Sequence, residues 1–222
     1  MGRLAQAYYE GKNVPKDYEK ALLLARESSS QSSAYGQLIM GYLTEAGIGG
    51  IPQDAVKAFE WFKLAADKNE PNALNIVGSC YFNGDGVQRD LSKAFDYYNR
   101  SATLNCSDAL VNLGRMYEFH LVPMADIFDA EIKKTNLRKA LQCFEEAAAL
   151  NDPRGFLNAA VFHQQGFFED VPQHFTAFQM FKKGIELGDV LCMVNVAKMY
   201  DTGVIQILAN GVSTKVLGQD YR

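Results

Sequence analysis

The chain has 222 residues, of which 48% are hydrophobic, and carries 22 basic against 26 acidic side chains for a net charge of −4. That supply of apolar residues supports a substantial core and excludes an intrinsically disordered chain. No block of Lys or Arg could track a phosphate backbone, so nucleic acid is excluded as a partner.

The longest apolar runs, 21–25 and 147–150, fall far short of the roughly 18 to 20 residues that cross a bilayer, so no direct membrane insertion is expected. The opening Met1-Gly2-Arg3-Leu4-Ala5-Gln6 has no apolar core of a secretory signal. Cys80, Cys106, Cys143 and Cys192 are spaced 26, 37 and 49 apart without a CxxC pair. They read as free thiols of a reducing compartment, and a cytoplasmic location is expected.

Taken in chain order, the sequence alternates between two helical frames. The first, here called A, reads small residue, aliphatic four later, small five later and Tyr eight later, which places all four on one side of an α-helix. It opens incompletely with Leu4, Ala5 and Tyr8, and a weak copy follows at Ala34, Leu38 and Tyr42. Clear copies are Ala73, Val77, Gly78, Tyr81 and then Ala109, Leu113, Gly114, Tyr117. Gly155, Ala159, Ala160, His163 and finally Cys192, Val196, Ala197, Tyr200 complete the series. The second frame, B, is Lys-Ala, then an aromatic pair, then a small pair. Lys20-Ala21 begins it, and Lys57-Ala58 with Trp61-Phe62 and Ala65-Ala66 is its clearest form. Lys93-Ala94 with Tyr97-Tyr98, Lys139-Ala140 with Cys143-Phe144, and Thr176-Ala177 with Met180-Phe181 follow.

Between A and B lies a Gly-rich turn, most complete in Gly84-Asp85-Gly86-Val87-Gln88-Arg89-Asp90, with Asp90 placed to cap the next helix. An Ala or Gly at a helix crossing lets two backbones approach, while an aromatic ring fills the groove beside it. One pair buries only part of its apolar face. Stacking pair on pair extends the core in one dimension, which predicts an all-α solenoid of about five and a half antiparallel helix pairs.

These strings, Ala109 to Tyr117, Gly84 to Asp90 and Lys57 to Ala66, resemble the Sel-1-like repeat, a relative of the tetratricopeptide repeat. The resemblance covers residues 1–203, and the 36-residue step from Ala73 to Ala109 fits that family rather than the tetratricopeptide unit of about 34. It places repeats near 1–33, 34–72, 73–108, 109–154 and 155–191, a partial one at 192–203, and an atypical tail at 204–222. It implies a right-handed superhelix whose concave face, lined by A helices, binds proteins or peptides. It implies no catalytic activity; from the absence of the motifs named below, no cofactor and no metal are expected.

Departures from the repeat lie in the A-to-B turns. The interval from the frame Tyr to the B-helix Ala is 13 at Tyr8–Ala21 and Tyr81–Ala94, but 16 at Tyr42–Ala58 and 23 at Tyr117–Ala140. Three and ten residues are therefore added, the longer addition running from Phe119 to Asp129, either tucked against its own repeat or open to a partner. The run Ser28 to Ser33 reads as a solvated linker rather than a phosphorylation site. In the tail, Val204 to Leu208 either folds back over the last repeat or leaves its face open, and weak self-association is a further expectation.

No HExxH, GxSxG, P-loop or GxGxxG string occurs, and no histidine pair has metal-site spacing. His163 reads as a packing substitute for Tyr, and His120 and His174 as solvated residues near turns. The expected function is a non-catalytic adaptor or scaffold. The rivals are a regulatory subunit that stimulates a partner enzyme and, because some proteins with such repeats have been labelled so, a hydrolase of β-lactams. Positions three and six after the small A-helix residue point away from the packed stripe. They nominate Asn112, Arg115, Asn158, Asn195 and Lys198 as protein-binding residues, with Arg115 and Lys198 suited to an acidic peptide.

Overall fold

Each small residue of the A frame and each Lys-Ala or Thr-Ala pair of the B frame seeds one helix. The computed structural model describes residues 1–123, 129–166, 173–207 and 214–216, and among these the A helices are α1 (Gly2–Glu10), α3 (Ala34–Ala46), α5 (Pro71–Asn83), α7 (Ser107–Glu118), α9 (Pro153–Gln165) and α11 (Val190–Asp201). The B helices alternate with them as α2 (Tyr18–Ser30), α4 (Ala55–Ala66), α6 (Leu91–Ala102), α8 (Ala130–Ala149) and α10 (His174–Glu186). The chain divides into two units, Met1–Ala109 and Leu110–Arg222.

In the first unit each helix from α1 to α5 packs on the next, and α1 also meets α3; in the second, α8, α9, α10 and α11 pack in the same sequential way. The second member of each B-helix aromatic pair supplies the buried ring. Phe62, Phe144 and Phe181 have no exposed surface and Tyr98 is 3% exposed. Their places opposite the small residues are exact to the atom: a Cβ on Gly78 would lie 2.7 Å from the Tyr98 ring, and one on Gly114 would lie 2.6 Å from the Phe144 ring. The Phe62 ring closes on Gly41 in the same way.

The B-to-A connection uses a device that the sequence frames do not include. Ser32, Asn69, Asn105, Asn151 and Gly188 all adopt left-handed backbone, at φ 60°, 57°, 59°, 60° and 87°. Asn is the side-chain residue that tolerates this region best. The next residue then donates its N–H five residues back, as in Ser33 to Ser28, Asp152 to Ala147 and Asp189 to Gly184, which is the Schellman closure of a helix end. That same residue starts the next A helix. Ser33, Glu70, Asp152 and Asp189 each accept a backbone N–H of the first turn through their side chains.

B helices α2, α4 and α6 begin on Asp17, Asp54 and Asp90. Each carboxylate accepts the N–H three residues on at 3.0 Å and pairs with that residue's lysine, at 3.1 Å for Lys20 and 3.2 Å for Lys57 and Lys93. The backbone N–H bond, assisted by the lysine, holds all three aspartates below their ordinary value of 3.8. A depressed folded value means that the contribution is fully present above pH 3.8 and is lost as pH falls through the folded value. These side chains are solvated, so the contribution is small and screened by salt. We expect amide protection at the starts of α2, α4 and α6 to fall as pH drops below about 4. Asp→Asn at all three sites, which keeps an acceptor without a titrating charge, should remove that pH dependence.

The structure changes three sequence expectations. The register of the second repeat shifts by two residues. Asp17 and Asp90 donate their N–H to the carbonyls of Tyr8 and Tyr81, whereas the equivalent Asp54 donates to Thr44 at 3.0 Å, not to Tyr42. The left-handed glycine three residues on agrees, since Gly11, Gly47 and Gly84 follow Tyr8, Thr44 and Tyr81. The frame in α3 is therefore Gly36, Met40, Gly41 and Thr44 in place of Ala34, Leu38 and Tyr42. The interval Thr44–Ala58 is 14, so one residue is added there rather than three.

Second, the serine run is not a linker. Ser28, Ser29 and Ser30 form the last turn of α2, with hydroxyls donating to the carbonyls of Ala25, Arg26 and Glu27, and Ser28 is 2% exposed. Third, the added residues of the fourth repeat do not all form a turn. Asp129 caps Glu131 and Ile132 at 2.8 and 3.0 Å, so α8 starts about two turns earlier than its counterparts. Asn136, three residues before Lys139 and so equivalent to the capping aspartates, is left buried inside the helix, and its Nδ2 has no hydrogen-bond partner among the described residues. Residues 124–128 of the insertion lie outside the described residues.

The start of the tail, for which the sequence set no secondary structure, is extended. Ile205–Ile207 pairs antiparallel with Thr214–Val216, in keeping with the β-branched residues in both segments. Residues 208–213 and 217–222 lie outside the described residues, and with them most of the expected cap.

Candidate protein-binding face

The corrected register defines one position, six residues after the buried small residue, along all the A helices. In chain order it holds Gln6, Tyr42, Ser79, Arg115, Val161 and Lys198. In the first unit these side chains are engaged. Tyr42 stacks on Tyr9 at 5.4 Å between centroids with 12° between planes, and meets the edge of Phe62 at 5.4 Å. Ser79 Oγ is 3.1 Å from the Tyr98 hydroxyl. Beside the tyrosine stack, burial raises the Glu45 carboxyl above its ordinary value, and the charge of Asp85 adds to that. Burial likewise pushes the Tyr42 phenol well above the usual tyrosine range, with Tyr9 and three acidic groups contributing. The A-helix surface of the first unit is thus aromatic and acidic around Tyr9, Tyr42 and Glu45.

Tyr42 stands at this A-helix position and the sequence frames do not place it there, because the misplaced register assigned it to the buried Tyr position. The signal was available in Gly47, which stands three residues after Thr44 as Gly84 stands after Tyr81.

In the second unit the nominated residues fall at equivalent places on three helices. Arg115 on α7 and Lys198 on α11 are exposed, and Asn112, Asn158 and Asn195 are half-buried. Arg115 lies close enough to Glu118 to offset part of the upward shift that burial imposes on that carboxyl. Asn195 bonds within its own helix, its Nδ2 donating to the Leu191 carbonyl at 2.9 Å.

The remaining chemistry-bearing residues are tied into the scaffold. His163 Nε2 lies 3.2 Å from Glu145 Oε1, joining α9 to α8 by a polar contact rather than by ring packing alone. His120 takes the left-handed turn position, at φ 54°, that glycine occupies after the other A helices. Burial lowers the His174 pKa, and the Nδ1 atoms of both His120 and His174 are buried without a hydrogen-bond partner among the described residues. All four cysteines are free and buried, and burial pushes Cys80, Cys143 and Cys192 up to about 12, so these thiols stay protonated at neutral pH. Among the described residues no three His, Cys, Asp or Glu side chains gather as a metal site requires. No described helix is long and apolar enough to cross a membrane.

The Sel1 repeat is recognised at residues 1–33, 34–70, 71–106, 129–152 and 157–189. The chain belongs to the Sel1 repeat family. A Sel1 repeat protein from Oxalobacter formigenes has a similar structure, with TM-score 0.78 and 24% identity over 91% of this chain and 78% of that one. A protective antigen present in uropathogenic Escherichia coli strains, displaying an SLR fold, matches with TM-score 0.51 and 21% identity, covering 91% of this chain and 48% of its own. An immunity protein from Pseudomonas aeruginosa matches with TM-score 0.53 and 16% identity over 82% of this chain and 65% of that one. These likenesses are of fold. They make the chain a Sel1-repeat α-solenoid of sequentially paired helices, a class of scaffold that commonly mediates protein binding.

Proposed function

We propose that this Sel1-repeat chain is a non-catalytic adaptor that holds a protein or peptide partner on its A-helix face, with Arg115 and Lys198 meeting acidic side chains. The observation that carries the reading is positional. Two exposed cations occupy the same A-helix position in the second unit, each one turn beyond a half-buried asparagine. Exposed charges contribute to partner choice and on-rate while adding little to fold stability. The protonated state of the buried thiols supports a binding role over thiolate chemistry. A cytoplasmic location belongs to the same reading and is supported by the four free cysteines.

Affinity capture with the immobilised chain, followed by mass spectrometry, tests it. The double variant Arg115→Glu and Lys198→Glu should melt within a degree or two of the parent, because solvated substitutions change stability by about 0.5 kcal/mol or less. It should lose most of the captured partner. A folded double variant that captures the same partner in the same amount overturns the assignment.

A further inference from the structure

A cation over a tyrosine ring is a repeated feature of the first unit. Tyr8, Tyr18, Tyr35, Tyr81 and Tyr97 each have a Lys or Arg of the chain above the ring, at 5.2–5.8 Å from the centroid. Tyr98 is buried against Gly78. The stacked pair Tyr9 and Tyr42 is only half-buried, yet among the described residues no Lys or Arg lies over either ring.

The charges that act on this pair are all negative. Glu10 and Glu45 act on Tyr9, and Glu45, Glu70 and Asp108 act on Tyr42; together with burial they raise both phenols above their ordinary value. Asp85 acts in turn on Glu45. Glu10, Glu45 and Asp85 are exposed, and among the described residues none of the three forms an ion pair. Glu10 accepts from Gln6 at 2.7 Å and Asp85 from Asn83 at 3.0 Å, both neutral amides. Their places make the lack of a cation costly. Glu10 ends α1 and Glu45 lies in the last turn of α3, at the negative ends of the helix dipoles, where a cation is favoured. Neither last turn holds a basic residue, whereas α7 and α11 have Arg115 and Lys198 there.

A ring stack in an uncompensated negative field is complementary to a cation. A metal ion does not fit, since no three acidic, His or Cys side chains gather among the described residues. An extended basic segment does. Helices in contact stand about 8–10 Å apart, so the ends of α1 and α3 lie within reach of side chains two or three residues apart on a strand rising about 3.3 Å per residue. The chain's own cations whose side chains lie outside the described residues, Lys215 and Arg222, are seven residues apart and lack that spacing.

We propose that the Tyr9–Tyr42 stack, with Glu10, Glu45 and Asp85 around it, is a docking surface for an extended basic segment of a partner protein, with lysines or arginines two or three residues apart. One cationic head lies against the ring surface and the next meets Glu45. The surface is built from first-unit residues alone and stands independently of the roles of Arg115 and Lys198.

The probe is a fluorescein-labelled peptide of alternating arginine and serine, titrated with the full chain in about 0.15 M salt, which screens charges more than about 8 Å apart, and read by anisotropy. Saturable binding is expected. Glu45→Gln and Tyr42→Leu should each weaken it by about threefold or more, while Tyr42→Phe, which keeps the ring, should not. Glu60→Gln removes the same charge from an exposed site on α4 and should leave binding unchanged, and Arg115→Glu should not weaken it. Glu45→Gln should also melt no lower than the parent, because it removes a carboxylate from the negative end of a helix. Should Tyr42→Leu fail to fold by circular dichroism, Tyr9→Leu takes its place with the same expectation. Absence of binding at millimolar peptide overturns the proposal. So does equal weakening by Glu45→Gln and Glu60→Gln, which would reduce the effect to net charge, or weakening at Glu45 with none at the rings. Tighter binding by Lys215→Ala/Arg222→Ala would make the chain's own tail the occupant and overturn it, as would self-association in sedimentation that Glu45→Gln abolishes, in favour of a second copy.

Discussion

Gly155→Leu is expected to be among the most damaging single substitutions in the second unit, exceeding Gly114→Leu. A Cβ built on Gly155 would lie 2.7 Å from the Ala147 carbonyl carbon and 2.8 Å from the Phe144 carbonyl oxygen, both of them backbone of α8. One on Gly114 meets the Phe144 ring at 2.6 Å, and a ring can rotate or slide where a helix backbone cannot. Overpacking costs about 1–3 kcal/mol and more where relaxation is blocked, so Gly155→Leu belongs at or above the upper end and Gly114→Leu within the range. Alanine separates the effects. It gains about 1 kcal/mol of helix propensity over glycine, which offsets part of the strain at 114 and little of it at 155. Urea melts of Gly114→Ala, Gly155→Ala and the two leucine variants should rank in that order of increasing loss. Equal losses for the two alanine variants would show that α9 and α8 can move apart freely at Gly155.

Most of the fold was legible because its pattern is redundant. Ala58, Ala94 and Ala140 recur in one frame with rings beyond them, and each proves to be buried at 0–2% exposure with the second ring inside. What was misread had a physical reason in each case. Thr44 stands where Tyr stands in Tyr8 and Tyr81, so a search keyed on Tyr slid two residues to Tyr42. The backbone bond from Asp54 to Thr44 depends on the turn, not on that side chain, and so kept the true register. The serine run looked like a linker by composition. Its hydroxyls bond back to carbonyls of their own helix, which lets serine end a helix without leaving it. The left-handed Asn69, Asn105 and Asn151 recur once per repeat in the sequence, 36 and 46 residues apart. Apolar periodicity does not register a polar residue whose role is its backbone angle, so these positions lie outside both frames. The candidate face was legible only in the second unit, where Arg115 and Lys198 stand out as charges. Tyr42, in the equivalent place, looked like core.

The other large effect is expected at the rings themselves. Phe62 and Phe144 have no exposed surface, and each holds more than its own groove. Phe62 fills the space over Gly41 and meets the Tyr42 ring at 5.4 Å, which in turn stacks on Tyr9, so three A-helix residues lean on one B-helix ring. Phe144 fills the space over Gly114 and meets Phe162 edge-on at 5.6 Å. Truncating a buried Phe to Ala costs about 3–5 kcal/mol through lost burial and the cavity left behind, a large share of a domain's total stability. Glycine on the opposite helix makes the cavity harder to fill, since no side chain there can swing into it. Phe62→Ala and Phe144→Ala should therefore both sit at the upper end of that range, while Phe175→Ala, at a residue 49% exposed, should change little. Because contacts run between sequence neighbours, the loss should also stay local. Hydrogen exchange by mass spectrometry should show Phe62→Ala stripping protection from peptides within 1–109 and Phe144→Ala from peptides within 110–203. Uniform loss across both units from either substitution would mean that the chain unfolds as one cooperative block rather than repeat by repeat.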